Sequence, residues 1–406
     1  MSATGSPAPR DQRRALLLSY SVIAGDPRVR RQIDWLSNAG WTIDTVGLGE
    51  HPAPIVREHF ALRPPSKWIT TKTGVLATHM LLSSRRIFDL QVVQRIPQVA
   101  LDRIRSGHYG LLVLNETEFT PLVGDPRFIT AESTHPRVHL DLHEYHNPAV
   151  RRRTLGGRLT GRHYRWVRRH IGHARVTTRS VVNAPIGRLY AEEFGFAEPT
   201  PVRNAPPFVE QNPSAGGGEE IRLLFHGLAA WQRGFSEILE AMRALPERFT
   251  MTFMLMPNPV VVDALQRLID EHPARDRIRI VPPAPMPEIA ERVNEYDLEI
   301  IFYRPLGPNL LYALPNKFFE ALQGRLGVVV GESPAMAEIV REYGSGVVVG
   351  GFEASQLADA LSGVTRETVQ QMKAAADRAA RKLNAEGEGA AFLETIEAAV
   401  ASRDSQ

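Results

Sequence analysis

The sequence predicts an α/β protein of two domains, each built on a parallel sheet, and three observations carry that reading. Short apolar runs alternate with stretches of helical periodicity in both halves. The alternation is interrupted once, by a proline- and then glycine-rich stretch from Glu198 to Gly218. And 406 residues are too many for one ordinary hydrophobic core.

The first strand is Ala15-Leu-Leu-Leu-Ser-Tyr-Ser, a continuous apolar run suited to a strand covered on both faces. In the turn that follows, Asp26 can cap a helix opening at Pro27. Val29, Ile33 and Leu36 then recur at helical spacing, Gly40 ends the helix, and a second strand begins at Trp41. That β-α-β unit is the building block of a doubly wound sheet. Further strands are expected at Gly110–Leu114, Arg137–Leu140 and Arg175–Thr178. Beyond the linker the strands are Ile221–Gly227, Phe249–Met256, Ile278–Val281, Leu298–Phe302 and Gly327–Val330. Gly234–Leu245 and Asn316–Gln323 read as helices, and the alanine-rich run Ala374–Val400 reads as helical to the end. The domains are therefore set at residues 1–205 and 206–385, with 386–406 as a terminal helix expected to pack back on the first. Ligands of such sheets sit outside the carboxyl ends of the strands, which makes a cleft between two facing domains the expected site.

Composition removes several classes of protein. There is no cysteine, hence no disulfide scaffold, thiolate metal site or cysteine nucleophile. No apolar run reaches the roughly 20 residues that span a bilayer, and the polar stretch Met1 to Arg14 lacks a signal-peptide core. The expected location is cytoplasmic, with peripheral contact at the inner membrane face as the alternative. That alternative rests on Arg151–Arg169, dense in arginine with Tyr164 and Trp166 interleaved, which reads either as a solvated helix face or as a surface for an anionic partner. No nucleic-acid motif accompanies it. The net charge of +3 is mild. There is no Asp-x-Asp pair to chelate a diphosphate through a metal, no His-Glu-x-x-His, no Gly-x-Ser-x-Gly and no phosphate loop with a terminal lysine. No metal and no cofactor is expected.

Four segments carry chemistry. The run from Pro308 to Leu322 feeds a loop into a helix starting near Pro315, so the amides of Asn316 and Lys317 lie at a positive helix end, with the Lys317 charge beside them. Glu320 lies one turn on, placed to accept hydrogen bonds from a ribose diol. His226-Gly-Leu-Ala-Ala-Trp-Gln-Arg-Gly follows a strand and offers Arg233, whose fork suits phosphate oxygens. His139-Leu-Asp-Leu-His-Glu-Tyr-His ends a strand and offers Asp141, His143 and Glu144. Gly25 and Arg28 sit in the first turn, where glycine permits close backbone approach.

Together these segments resemble the retaining family-4-type glycosyltransferases of GT-B architecture, and the resemblance runs over nearly the whole chain. It implies two facing Rossmann-like domains and transfer of a sugar from a nucleoside diphosphate, with retention and without metal. Glu320 matches the second of two signature glutamates eight positions apart, which contacts the donor ribose; the first falls on Tyr312. Arg233-Gly234 matches the second base of the family's diphosphate pair; the first falls on Leu228, and Lys317 is the candidate to replace it. His143 matches the histidine that faces the donor sugar. The resemblance thus implies catalytic His143, Arg233 and Lys317, and donor contacts from Gly25, Asn309, Asn316, Glu320 and the backbone near Val281. Asp141, Glu144 and Arg28 are assigned to the acceptor; Asp141 and Glu144 could instead orient His143, and Arg28 could instead be a phosphate contact or solvent-exposed. The expected partners are a nucleotide-sugar and a small-molecule acceptor. The competing functions are a nucleotide-sugar hydrolase or epimerase on the same fold, and a catalytically silent sugar- or membrane-binding homologue.

Overall fold

A computed structural model describes residues 13–129, 136–145 and 155–401. The described residues fall into two compact units. One runs to Val202 and takes in the residues from Gly389 onward; the other is Arg203–Glu388.

The first unit holds seven parallel strands: β1 (Arg14–Val22), β2 (Thr42–Leu48), β3 (Glu58–Ala61), β4 (Leu111–Asn115), β5 (Arg137–Leu142), β6 (Val176–Val181) and β7 (Thr200–Pro201). Their order is β3-β2-β1-β4-β5-β6-β7. Asp26 caps the helix Pro27–Asn38 as its sequence implies, its carboxylate accepting from the amides of Arg28 and Val29. That helix buries Val29, Ile33 and Leu36 against the sheet. Phe392 and Ile396 of the last helix, Ala385–Ala401, join the same core, and the Phe392 ring lies 5.6 Å from that of Trp35.

Three strands were not expected: β3, β7 and, in the second unit, the three-residue edge strand Gly346–Val348. Glu58-His-Phe-Ala of β3 buries only Phe60 and so presents no apolar run. β7 lies in the stretch read as linker. Pro201 is tolerated there because β7 is an edge strand, where a missing N–H costs no ladder bond. The alanine-rich tail is also not one helix but two, Arg366–Ala380 and Ala385–Ala401. Asn384 divides them, its Oδ1 accepting from the amide of Gly387 in the manner of an N-cap.

The second unit holds β8 (Ile221–Leu228), β9 (Phe249–Met256), β10 (Ile278–Val281), β11 (Leu298–Ile301), β12 (Gly327–Val330) and β13 (Gly346–Val348), all parallel, in the order β10-β9-β8-β11-β12-β13. This repeats the order of the first six strands of the other sheet. In both, the first and fourth strands are neighbours, and chain direction across the sheet reverses between them, which is where ligands bind in doubly wound folds. Phe225, Phe235 and Phe253 pack ring to ring beneath this point in the second unit, with centroids 4.9 to 6.1 Å apart. Among the described residues, no helix is long and apolar enough to cross a membrane.

Candidate functional site

In each unit a histidine lies between two carboxylates at the carboxyl end of the sheet. In the second unit it is His226, near the end of β8. Glu299 on the adjacent β11 is fully buried and receives both the His226 amide, at 3.2 Å, and ring Nδ1, at 3.0 Å. Nε2 donates to Glu320 Oε2 at 2.9 Å from the opposite side. Burial alone would drive the imidazole neutral. Glu299 and Glu320 outweigh it and lift the His226 pKa to about 9, with Lys317 opposing them. The ring is therefore an imidazolium near neutrality, with both nitrogens donating.

Lys317 opens into the same cluster from the first turn of the helix Asn316–Gln323. It is 7% exposed, with Nζ 3.4 Å from Glu299 Oε1 and 3.3 Å above the Phe225 ring. The ammonium has three donors, yet Nζ has no hydrogen-bond partner among the described residues, and neither has the buried hydroxyl of Tyr303, whose ring lies 6.0 Å away. A buried donor left unmade costs on the order of 1–3 kcal/mol, so an acceptor at this point would be favourable. Arg233 lies beside it, its guanidinium 4.8 Å over the Tyr303 ring. The half-turn Trp231–Arg233 reaches that position because Gly234 adopts φ +86°, with its α-carbon so close to β11 that a Cβ would stand 2.1 Å from the Phe302 carbonyl oxygen. Asn316 is exposed at the helix start. The side chain of Asn309 lies outside the described residues. Val281 ends β10 and lines a cavity of about 430 Å³ together with Pro282, Pro283, Arg279 and Tyr296.

In the first unit the histidine is His143, just past β5. Its Nε2 lies 3.0 Å from Asp141 Oδ2, and its Nδ1 lies 3.4 Å from Glu116 Oε1, which also accepts the His143 amide at 2.9 Å. Burial opposes the charge on His143, but Asp141 and then Glu116 raise its pKa. Burial also pushes the Glu116 carboxyl up to about 7, against the pull of His143. Glu116 follows β4 with φ 69° and ψ 176°, a region that side-chain-bearing residues rarely occupy.

Asp141 bears on two expectations. It is fully buried and accepts from Arg28 Nε and Nη2, Gln32 Nε2 and Ser180 Oγ, each at 2.6 Å, besides His143. Burial would raise its pKa, but Arg28 and His143 hold it well below the usual carboxylate range. So enclosed, the carboxylate fits the first of its two expected roles, orienting His143, better than the second, binding acceptor hydroxyls. Arg28, at 5% exposure, is not a solvent-exposed residue: its guanidinium donates to Asp141 and to the Val202 carbonyl. Glu144 is exposed, and its carbonyl accepts from the Tyr190 hydroxyl. Gly25 is also exposed and a Cβ there would meet nothing within 4 Å, so local packing does not demand glycine.

In the arginine-rich segment Arg158, Arg162, Arg165 and Arg169 are exposed at the spacing of one face of the helix Leu155–Arg168 and its end. Arg151, Arg152 and Arg153 lie outside the described residues. Arg168 is buried, paired with Glu193, and its guanidinium lies 5.4 to 5.7 Å from the rings of Tyr145, Tyr164, Tyr190 and Phe194. Arg162 donates to the carbonyls of His79 and Leu82.

Sequence reasoning missed His226, Glu299 and Glu116 as members of these clusters. A signal existed for the first two: each is a charged or ionisable residue inside an apolar strand run, Leu-Leu-Phe-His and Leu-Glu-Ile-Ile. A buried ionisable group in such a run needs a partner. Glu116 offered no such signal.

No protein-family model matches the chain, and no curated protein matches it. Solved structures do. Sucrose-phosphate synthase from Thermosynechococcus elongatus superposes with a TM-score of 0.64 at 15% identity, over 96% of this chain and 100% of that one. The UDP-forming α,α-trehalose-phosphate synthase of Burkholderia vietnamiensis gives 0.64 at 12% identity, over 97% and 99%. Anabaena HepE, solved in complex with UDP and glucose, gives 0.63 at 12% identity, over 95% and 100%. The chain has the GT-B glycosyltransferase fold. At these identities the likeness defines the architecture and leaves activity to the site.

Proposed function

We propose that the protein is a glycosyltransferase that moves a sugar from a nucleoside-diphosphate donor to an acceptor hydroxyl, with retention and without a metal. The observation that carries the reading is Lys317: a buried ammonium with unmade hydrogen bonds, 6.0 Å from the ring of Tyr303, over which the Arg233 guanidinium also lies. Two cations against one aromatic ring, one of them at a helix start, suit a diphosphate and, during transfer, the charge that accumulates as it departs. Support also comes from two proteins of the same fold, one UDP-forming and one solved in complex with UDP and glucose.

In this reading residues 206–385 hold the donor and 1–205 the acceptor, and the final helix is a strut of the first domain. Glu320, already fixed by His226, presents its remaining oxygen to the ribose diol. Asn309, Asn316 and Gly25 line the donor, and the backbone from Val281 to Pro283 receives the base. His143 faces the sugar, held by Asp141, with Glu144 near the acceptor. The acceptor proton passes to the departing phosphate, so no side chain need serve as base.

Thermal melting with a panel of nucleoside diphosphates, in EDTA, tests the donor site, because a ligand that binds only the folded state raises its stability. A rise with at least one diphosphate is expected. Mass spectrometry of products from nucleotide sugars, with and without hydroxylated acceptors, then separates transfer from hydrolysis or epimerisation. No melting shift at millimolar diphosphate, or a shift that EDTA abolishes, would overturn the metal-free reading.

A further inference from the structure

We infer that the first unit carries a docking surface for an anionic lipid bilayer, formed by residues 67–86. The helix Lys72–Leu81 is inverted relative to an ordinary surface helix: it buries Gly74, Thr78 and His79 and turns Leu76, Met80 and Leu81 outward. These three are 41%, 61% and 80% exposed, and Trp68, on the half-turn just before, is 56% exposed. Single exposed apolar residues are ordinary, but four on consecutive turns of one short segment mark an interaction site.

The charge around them selects the partner. From Leu62 to Phe88 the chain has five arginines and lysines and no acidic residue. Lys67, Lys72, Arg85 and Arg86 are all exposed. Among the ion pairs of the described residues, only Arg85 of these four has an acidic partner, Asp125 at 3.5 Å. Exposed apolar side chains and exposed cations in one stretch complement the headgroup layer of an anionic membrane, where the rings and alkyl chains enter the interface and the cations meet lipid phosphate. Arg162 pins the helix end through the carbonyls of His79 and Leu82, so the face is presented ready-formed.

The surface adjoins a cavity of about 460 Å³ in the same unit. Ile69 and Thr70, next to Trp68, line it, as do Tyr20, Arg95, Glu118 and Tyr164. A mixed apolar and polar chamber opening beside a bilayer-facing tryptophan fits an amphiphilic acceptor, with its hydroxylated head among the polar groups and its tail toward the lipid. This step rests on the glycosyltransferase reading; the docking surface does not.

Flotation with vesicles of phosphatidylcholine alone, and of phosphatidylcholine with phosphatidylglycerol, tests the surface at low and high salt. The wild-type protein should bind the anionic vesicles, lose that binding at high salt, and bind the neutral ones weakly. Two variants separate the contributions: M80Q/L81Q removes apolar contact, and K67Q/K72Q/R85Q/R86Q removes charge. Each should bind at least about tenfold more weakly, with an unchanged circular dichroism spectrum and an unchanged melting shift with nucleoside diphosphate. No binding to anionic vesicles, or binding that survives both sets of substitutions, overturns the surface. A dimer in sedimentation that M80Q/L81Q dissolves, without vesicle binding, would overturn it too and assign the face to a second copy of the chain. A retained nucleotide shift in either failure leaves the donor reading standing.

Discussion

His226 Nε2 lies 2.9 Å from Glu320 Oε2, while the other ring nitrogen is held by Glu299. Glu320 is thus oriented by an imidazolium whose own charge depends on the two carboxylates. This makes stability depend on pH in a defined sense. The ordinary histidine pKa is 6.5 and the folded value is about 9. Between those limits the folded state keeps a proton that the unfolded chain has released, so raising pH favours unfolding. The contribution is complete below 6.5 and lost as pH passes 9. Melting of wild type and H226Q across this range should show a gap that narrows as pH rises. A gap of constant size would mean that His226 is not charged in the folded protein.

Glu116 combines strain with contact. Its φ of 69° and ψ of 176° belong to a region used almost only by glycine, at a cost of about 1–3 kcal/mol for other residues. The same conformation aims its carboxylate at the amide and ring of His143. Glu116→Gly should therefore hold or raise the melting temperature, since relief of strain offsets the roughly 0.5–1 kcal/mol that glycine's freedom costs. Sugar transfer should fall, because His143 loses one of its two carboxylates. A drop of several degrees in melting would show that the conformation is not strained.

Most strands were legible because buried parallel strands are continuous apolar runs. Phe249–Met256, Ile278–Val281 and Gly327–Val330 have the bounds that their sequence suggests. β3 escaped because it is largely polar, β7 because it is two residues in a proline-rich stretch, and β13 because it is only three residues long. The site was less legible. His226 and Glu299 are separated by 73 positions and meet only because β8 and β11 are neighbours where the sheet order reverses. Exposure stood open for Arg28 because nothing local indicates that Asp141, 113 positions away, will bury it. Helix starts, caps and glycine turns are local and could be read; pairings across the sheet could not.

Gly234 tests how the loop before the second unit's helix Phe235–Ala244 is held. It adopts φ +86°, and a Cβ would lie 2.1 Å from the Phe302 carbonyl oxygen, a backbone atom that cannot swing aside. Gly234→Ala therefore meets both a conformational penalty and a clash. It should cost about 1–3 kcal/mol from the backbone alone, visible as a lowered melting temperature, and should displace Arg233 from Tyr303. A protein as stable as wild type would mean that the loop has another conformation.

Arg233 and Lys317 define the last prediction, which asks whether their charges serve phosphate or only the fold. Charge-assisted hydrogen bonds contribute on the order of 1.5–3 kcal/mol, so losing either partner should weaken nucleoside diphosphate binding roughly tenfold or more. Arg233→Ala should leave the core intact, because the guanidinium rests on one face of Tyr303. Lys317→Met is the matched change at the second position: the alkyl chain still packs over Phe225, and His226 still neutralises Glu299. Calorimetry with a nucleoside diphosphate and with the corresponding nucleoside separates the two roles. If the cations hold phosphate, each variant loses affinity for the diphosphate and keeps that for the nucleoside. If they only shape the pocket, both ligands weaken together. Unchanged diphosphate affinity in both variants would remove the anion site, and with it the observation on which the transferase reading rests.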